Sequence, residues 1–244
     1  ERIDELAGNF QRIGISATVG NPELVGEFLC GKRPCQVVAV PVAKTLDLSV
    51  RFAGEGFGEQ VKLIEKCIDS HTSTLVFTNT RSVAEAIGNA FSAREDIDVH
   101  HGSLSREVRV DAEDRFRNGL TRGMICTSSM ELGIDIGQID HVVQFNSPRE
   151  VARMMQRTGR AGHRIGAASK GMILATGFDD ILESMVVVRR ATENRPDNVR
   201  PHVSPADVIA NQIAALAVER GEITTDEIRT HKDQHLEARV EILD

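Results

Sequence analysis

The chain has 244 residues, 29 Lys and Arg against 36 Asp and Glu, a net charge of −7, 41% apolar residues and no Trp or Tyr. This balance excludes disordered, collagen-like and disulfide-scaffold chains. No apolar run reaches the roughly 20 residues of a membrane-spanning helix, and the amino end does not read as a secretory signal, so a soluble, cytoplasmic protein is expected.

Charge is unevenly placed. Residues 1–99 are net −4, residues 100–170 net +3, residues 171–202 net −1 and residues 203–244 net −5. Within the positive stretch, Arg149, Arg153, Arg157, Arg160, Arg164 and Lys170 surround one acid, Glu150. An acidic chain with one local concentration of arginine fits a single polyanion site, whether nucleotide phosphates or a nucleic-acid backbone, although a solvated helix face has the same composition.

Short β-branched runs alternate with helical periodicity. Strands are expected at 12–17, 36–42, 47–52, 74–78, 97–100, 123–127, 141–145 and 171–175, and helices at 22–29, 58–69, 81–93, 105–118, 149–158 and 178–192. Ser105 can cap the helix that follows it, and Asn118-Gly119 can close that helix. Such alternation predicts an α/β fold, a parallel sheet with helices on both faces. The ligand crevice of such a sheet lies beyond the carboxyl ends of its strands, so the loops near 16–20, 78–81, 100–106, 127–135 and 146–163 should share one edge. Residues 42–48 read as a linker, and the proline-rich stretch 194–205 ends the main domain. Residues 205–220 read as an amphipathic helix, with another starting at Thr224.

Five segments occupy those loops: Ile15-Ser16-Ala17-Thr18, residues 76–81 (VFTNTR), 100–105 (HHGSLS), 126–135 (CTSSMELGID) and 156–163 (QRTGRAGH). Each alone has a bland explanation: a strand end, a helix cap, a loop histidine, a cationic helix. In this order and at these spacings they resemble the second half of a superfamily 2 helicase, with the large helicase-related (Lhr) family the best match. The resemblance covers about residues 1–200.

It implies a RecA-like fold of the helicase C-terminal type, with a short helical segment after it. Residues 1–42 would be the tail of a first RecA-like domain, 43–200 the second RecA-like domain, and 201–244 the start of a helical or winged-helix domain. Ser16 and Thr18 would belong to motif III. Thr78, Asn79, Thr80 and Arg81 would form motif IV and, with His101, Gly102, Arg106 and Thr127, hold nucleic-acid phosphates; hydroxyls, amides and helix starts suit that task. Gly133 and Asp135 would approach the nucleotide, the latter at a ribose hydroxyl. Gln156, Arg157, Arg160 and His163 would form motif VI, with Arg160 the arginine finger, since a guanidinium aimed at a transferring phosphoryl group stabilises its charge. Many superfamily 2 relatives carry a second arginine where His163 stands, which leaves the division of labour open. If the helix continues far enough, Arg149, Arg153, Arg157, Arg160 and Arg164 form one stripe, starting toward solvent or nucleic acid and ending at the nucleotide cleft.

No GxxxxGK[ST] loop and no DExH box occur in the sequence. The implied cofactors, ATP and Mg²⁺, would therefore need residues outside this chain, which alone should not hydrolyse ATP. The implied partners are single-stranded DNA or RNA and DNA or RNA–DNA duplexes, with DNA repair as the setting and no membrane. Oligomeric state, polarity and DNA-versus-RNA preference are not encoded legibly. Two other readings stay open: a non-catalytic nucleic-acid-binding module derived from a helicase domain, and an unrelated flavodoxin-like or nucleotide-sugar domain. No metal site is expected. Cys30 and Cys35 lack a second Cys/His pair at zinc spacing, and Cys67 and Cys126 fall on core positions.

Overall fold

A computed structural model describes residues 7–8, 10–16, 18–31, 33–39, 45–131, 137–161, 168–200, 202, 205–226 and 228. The chain forms two compact units: Glu1–Ser16, Asn21–Val38 and Asn198–Asp244 in the first, Ala17–Gly20 and Ala39–Asp197 in the second.

In the first unit α1 spans Pro22–Cys30, with Pro22 in the first turn, where its missing N–H costs nothing. The Asn21 side chain donates to the Val199 carbonyl at 3.1 Å and accepts from the Val199 amide at 2.8 Å. The guanidinium groups of Arg12 and Arg33 lie 5.6 and 5.5 Å from the centre of the Phe10 ring. The expected strands at 12–17 and 36–42 do not form among the described residues. Ile13, Ile15 and Val38 are 73%, 96% and 77% exposed. A β-branched run becomes a strand only where a neighbour completes its ladder, and no such neighbour is described here.

The second unit holds six strands, all parallel: β1 (Leu46–Phe52), β2 (Thr74–Phe77), β3 (Ile97–His100), β4 (Gly123–Cys126), β5 (His141–Phe145) and β6 (Ser169–Ala175), in spatial order β1-β6-β5-β2-β4-β3. The intervening helices are α2 (Phe57–Asp69), α3 (Arg81–Ala90), α4 (Arg106–Arg117), α5 (Val151–Thr158) and α6 (Phe178–Thr192), and α7 (Ala206–Arg220) follows in the first unit. The period-2 alternation of each strand sorts its side chains to two faces. Val76, Ile125, Val143, Phe145, Met172 and Leu174 pack against Ile64 and Ile68 of α2 and Ala84 and Ile87 of α3. Leu75, Phe77, Met124, Cys126 and Val142 meet Ala112 and Phe116 of α4 on the other face. Ile173 meets Met154 of α5 and Val187 of α6. Parallel-sheet strands covered on both sides read as continuous apolar runs, which is how β2 and β4 are written.

Boundaries moved where backbone geometry intervened. The expected linker at 42–48 gives way at Leu46, which opens β1 in register with Ser169 of β6. The helix expected from residue 149 starts at Val151, because Asn146 and Arg149 take φ of 61° and 65°, values no right-handed helix allows. Its first amide, Val151 N–H, is instead capped from a distance by Asp197 at 2.5 Å. Ser105 does cap α4, accepting from Val108 N–H at 3.4 Å, and Gly119 takes φ 70° just past it. The helix expected at Thr224 falls largely outside the described residues.

At the amino edge of the sheet, the His71 and His141 rings stack with centroids 4.3 Å apart and planes 5° apart. Burial, then the neighbouring His71 and Lys170, depress the His141 imidazole to about 4 from 6.5. The unfolded chain therefore binds the extra proton first as pH falls, so this contribution to stability is present above about pH 6.5 and is lost as pH drops toward 4. His141→Phe keeps the stacked ring and removes the titration. Urea melts between pH 7 and pH 5 should show the wild type losing more stability than this variant; parallel pH profiles would contradict the assignment.

Candidate nucleotide and nucleic-acid site

Because all six strands run one way, the chain leaves β2, β3, β4 and β5 at a single edge. The segments 78–81, 101–106 and 127–131 gather there. Thr78 is fully buried, and its hydroxyl lies 3.0 Å from the Thr80 carbonyl and 3.3 Å from that of Cys126, so it sets the loop's shape. Thr80 caps α3 through Val83 N–H at 3.3 Å. Arg81 donates to Ser103 Oγ at 3.0 Å and lies 3.7 Å from Glu85. His101 is buried with Nε2 3.3 Å from the same Glu85, and its Nδ1 finds no partner among the described residues. Gly102 and Arg106 are exposed, the latter at the start of α4. Thr127 is half-buried, its amide on the His100 carbonyl at 3.3 Å and its hydroxyl 3.4 Å from Ser129 Oγ. The nucleic-acid candidates thus form one cluster of hydroxyls, an amide and two arginines. Beside it, Asn79, Thr80, Asn146, Arg149, Asp179 and Glu183 help line a cavity of about 640 Å³.

The motif VI candidates stand at and beyond the end of α5. Gln156 is half-buried. Arg157 is not a surface cation: its side chain is 1% exposed. Its Nε donates to the Glu131 carboxylate at 2.7 Å and Nη2 donates to the same oxygen. Its Nη1 donates to Gln144 Oε1 and lies 3.3 Å from Asn79 Oδ1. The guanidinium also sits 5.1 Å from the centre of the Phe77 ring. Burial pulls this arginine's pKa down while Glu131 pulls it back up. Arg160, partly buried, donates through Nε at 2.9 Å and through Nη2 to the main-chain carbonyl of Glu131, and burial lowers its pKa. Arg157 and Arg160 are therefore both anchored on one residue, by its side chain and its backbone respectively.

The single arginine stripe does not form. Arg149 precedes the helix with positive φ, α5 ends at Thr158, Arg153 turns to Glu150 at 3.0 Å, and Arg157 points inward. Side chains three and four apart share a face only while helical backbone lasts. Ser16 and Thr18 lie in irregular chain rather than at a strand end. Gly133, Asp135, His163 and Arg164 lie outside the described residues. Two residues that hold these arginines in place, Glu131 and Gln144, were not singled out from the sequence. The signal for Gln144 was present: a lone amide inside the apolar strand HVVQF, where a buried polar group demands partners.

Known proteins resemble this chain in sequence and fold. The pattern described as helicase conserved C-terminal domain covers residues 59–166. An ATP-dependent helicase Lhr-Core of Methanothermobacter thermautotrophicus is 37% identical over 240 residues, covering 90% of this chain and 28% of that protein. The structure of Mycobacterium smegmatis helicase Lhr bound to ssDNA and AMP-PNP superposes with a TM-score of 0.83 at 33% identity, covering 96% of this chain and 33% of that one. The DUF1998 helicase MrfA bound to DNA shares the fold, with a TM-score of 0.70 at 23% identity over 95% of this chain and 34% of that one. The second unit is a helicase C-terminal domain of RecA-like fold. The chain belongs to the Lhr helicase family, and it spans about a quarter of the length of the curated relatives it matches.

The two arginines should behave differently on truncation. Arg157→Ala leaves the Glu131 carboxylate, 13% exposed, with Arg153 at 4.0 Å as its remaining charged partner, and a breach of this kind costs about 3 kcal/mol. Arg160→Ala removes a partly exposed group that donates to the Glu131 carbonyl, a neutral acceptor, and should cost less, about 1–2 kcal/mol. Denaturant unfolding of both variants checks the order; equal losses would contradict it.

Proposed function

We propose that this chain supplies one wall of an ATP-driven motor that moves along single-stranded DNA or RNA and unwinds duplexes, in a DNA-repair setting in the cytoplasm. On this reading residues 1–42 close a first RecA-like domain, 43–200 form the second, and 201–244 begin a helical or winged-helix domain. The observation that carries it is the anchoring of Arg157 and Arg160 on Glu131, beside a loop cluster with phosphate-holding chemistry. The likeness to a helicase Lhr bound to ssDNA and AMP-PNP supports it.

Arg160 presents its guanidinium to the γ-phosphoryl group, where its charge counters that gathering on the equatorial oxygens. Arg157 fixes the loop from which Arg160 acts. Gly133, Asp135 and Gln156 complete the nucleotide side, His163 stands in the second-arginine place, and Ser16 and Thr18 transmit nucleotide state. Thr80, Arg81, His101, Gly102, Arg106 and Thr127 hold the strand through its phosphates, with Asn79 and Thr78 shaping the loop. Mg²⁺ neutralises phosphate charge when bound. On this reading its ligands lie on the P-loop half.

In the intact helicase, Arg160→Ala should lower ATP turnover about 10³-fold or more while leaving nucleic-acid affinity within about twofold. Turnover at the wild-type rate would refute the finger assignment. The chain by itself should hydrolyse no ATP, and mixing it with a polypeptide carrying the P-loop domain should raise that polypeptide's turnover. Binding should weaken steeply with salt and differ little among sequences, since the contacts address phosphates.

A further inference from the structure

Gln144 occupies the centre of the sheet, paired with Phe77 of β2 on one side and Ile173 of β6 on the other. Its side chain is wholly buried. An uncharged amide in such a place is expensive unless every polar atom is used, and here both ends are. The carbonyl oxygen accepts from Arg157 Nη1. The amide nitrogen donates to the main-chain carbonyls of Phe145 at 3.0 Å and Asn146 at 2.8 Å, and lies 3.4 Å from Asn79 Oδ1. Asn79 in turn donates to the Ser147 carbonyl at 2.8 Å.

These bonds make one continuous polar chain through an apolar sheet. It begins at the loop after β2, where Thr80 and Arg81 stand, and passes through Asn79, Gln144 and Arg157 to the Glu131 carboxylate. It ends at the Glu131 carbonyl, which receives Arg160. The same amide ties down the backbone at Phe145 and Asn146, the latter strained at φ 61°. A shift of the β2 loop alters the acceptor that Asn79 offers Arg157, and Arg157 can follow only by moving Glu131.

We propose that Gln144 is a positioning residue for the reaction: through Arg157 and Glu131 it sets where Arg160 is presented, and so links occupancy of the loop after β2 to nucleotide turnover. The inference rests on the reading of Arg160 as the finger. It assigns Gln144 no contact with nucleotide or nucleic acid.

The test uses the intact helicase, with single-stranded DNA as the stimulating strand and three variants. Gln144→Met keeps the volume and removes every hydrogen bond. Glu131→Gln keeps an acceptor before Arg157 and the carbonyl before Arg160 but removes the charge that balances Arg157, so its thermal stability is measured beside its kinetics. Gln144→Glu keeps the acceptor but places a carboxyl oxygen against the carbonyls of Phe145 and Asn146, where only the protonated acid can donate. The charged groups facing that position are Arg157 from α5 and, through it, Glu131.

Gln144→Met should lower the DNA-stimulated kcat at least tenfold, with KM for ATP and DNA affinity within about twofold. Glu131→Gln should lower kcat severalfold in the same pattern. Gln144→Glu should regain kcat severalfold as pH falls from 8 to 6, a profile the wild type lacks. The proposal is overturned if kcat is unchanged in Gln144→Met and Glu131→Gln. It is equally overturned if kcat, KM and DNA affinity decline together in proportion to lost thermal stability, or if Gln144→Glu follows the wild-type pH profile. If Arg160→Ala also retains turnover, the finger reading itself has failed; if Arg160→Ala is inactive while the Gln144 and Glu131 variants are normal, only this inference has.

Discussion

A guanidinium shut away from water has to be met by acceptors on nearly every side, or the fold that buries it does not persist. Arg157 is in that position. Its Nε and Nη2 donate to the Glu131 carboxylate, its Nη1 donates to the carbonyl oxygens of Gln144 and Asn79, and its flat face lies near the Phe77 ring. Each partner comes from a different element: the segment after β4, strand β5, the loop after β2, and the end of β2. A parallel sheet fixes the strands against one another through its backbone ladder but leaves its edge loops connected only by side chains. One buried arginine therefore does for the loops what the ladder does for the strands.

That constraint explains why two arginines three residues apart have separate tasks. The helix must stop between them. Gly159 follows Thr158 where an added Cβ would stand 2.9 Å from the Met155 carbonyl oxygen, closer than any side chain tolerates. The glycine lets the backbone turn tightly enough that Arg160 leaves the helical register and meets the Glu131 carbonyl, while Arg157 stays on the inner face. The spacing Arg-Thr-Gly-Arg thus codes for one cation on the Glu131 carboxylate and one on its main-chain carbonyl.

Much of this was legible in the sequence. The strands β1 to β6 and helices α1 to α7 follow from apolar periodicity, and the Ser105 cap and Gly119 stop from residue chemistry. The clustering of residues 78–81, 101–106 and 127–131 followed from parallel strands alone. The failures have physical causes. The described residues of 12–17 and 36–42 carry β-branched pattern with no strand pairing among the described residues, and propensity cannot supply a partner. The arginine stripe assumed helical backbone through Gly159, which one left-handed residue at Arg149 and one tight turn undo. Gln144 and Glu131 were missed because their importance lies in what they touch: Glu131 matters for its carbonyl as much as its carboxylate, and a backbone atom leaves no mark in a sequence.

Burial also sorts the local concentration of arginine into two kinds of charge. Arg81 sits in an exposed pair with Glu85, and Arg153 in one with Glu150 while lying 4.0 Å from the Glu131 carboxylate. Such pairs are worth about 0–1 kcal/mol, and water replaces either partner at little cost. A phosphodiester carries the same single charge as a glutamate but comes as one of many along a polyanion, so a strand can compete for these exchangeable side chains where an isolated anion would not. Arg157 is the opposite case: its pairing is sealed from water, and exchanging it would strand Glu131 and Gln144 together. The net charge of +3 over residues 100–170 is therefore a poor measure of the field a polyanion meets. What counts is which arginines remain exchangeable, and the fold decides that by burying the one whose displacement would loosen all the loops at once.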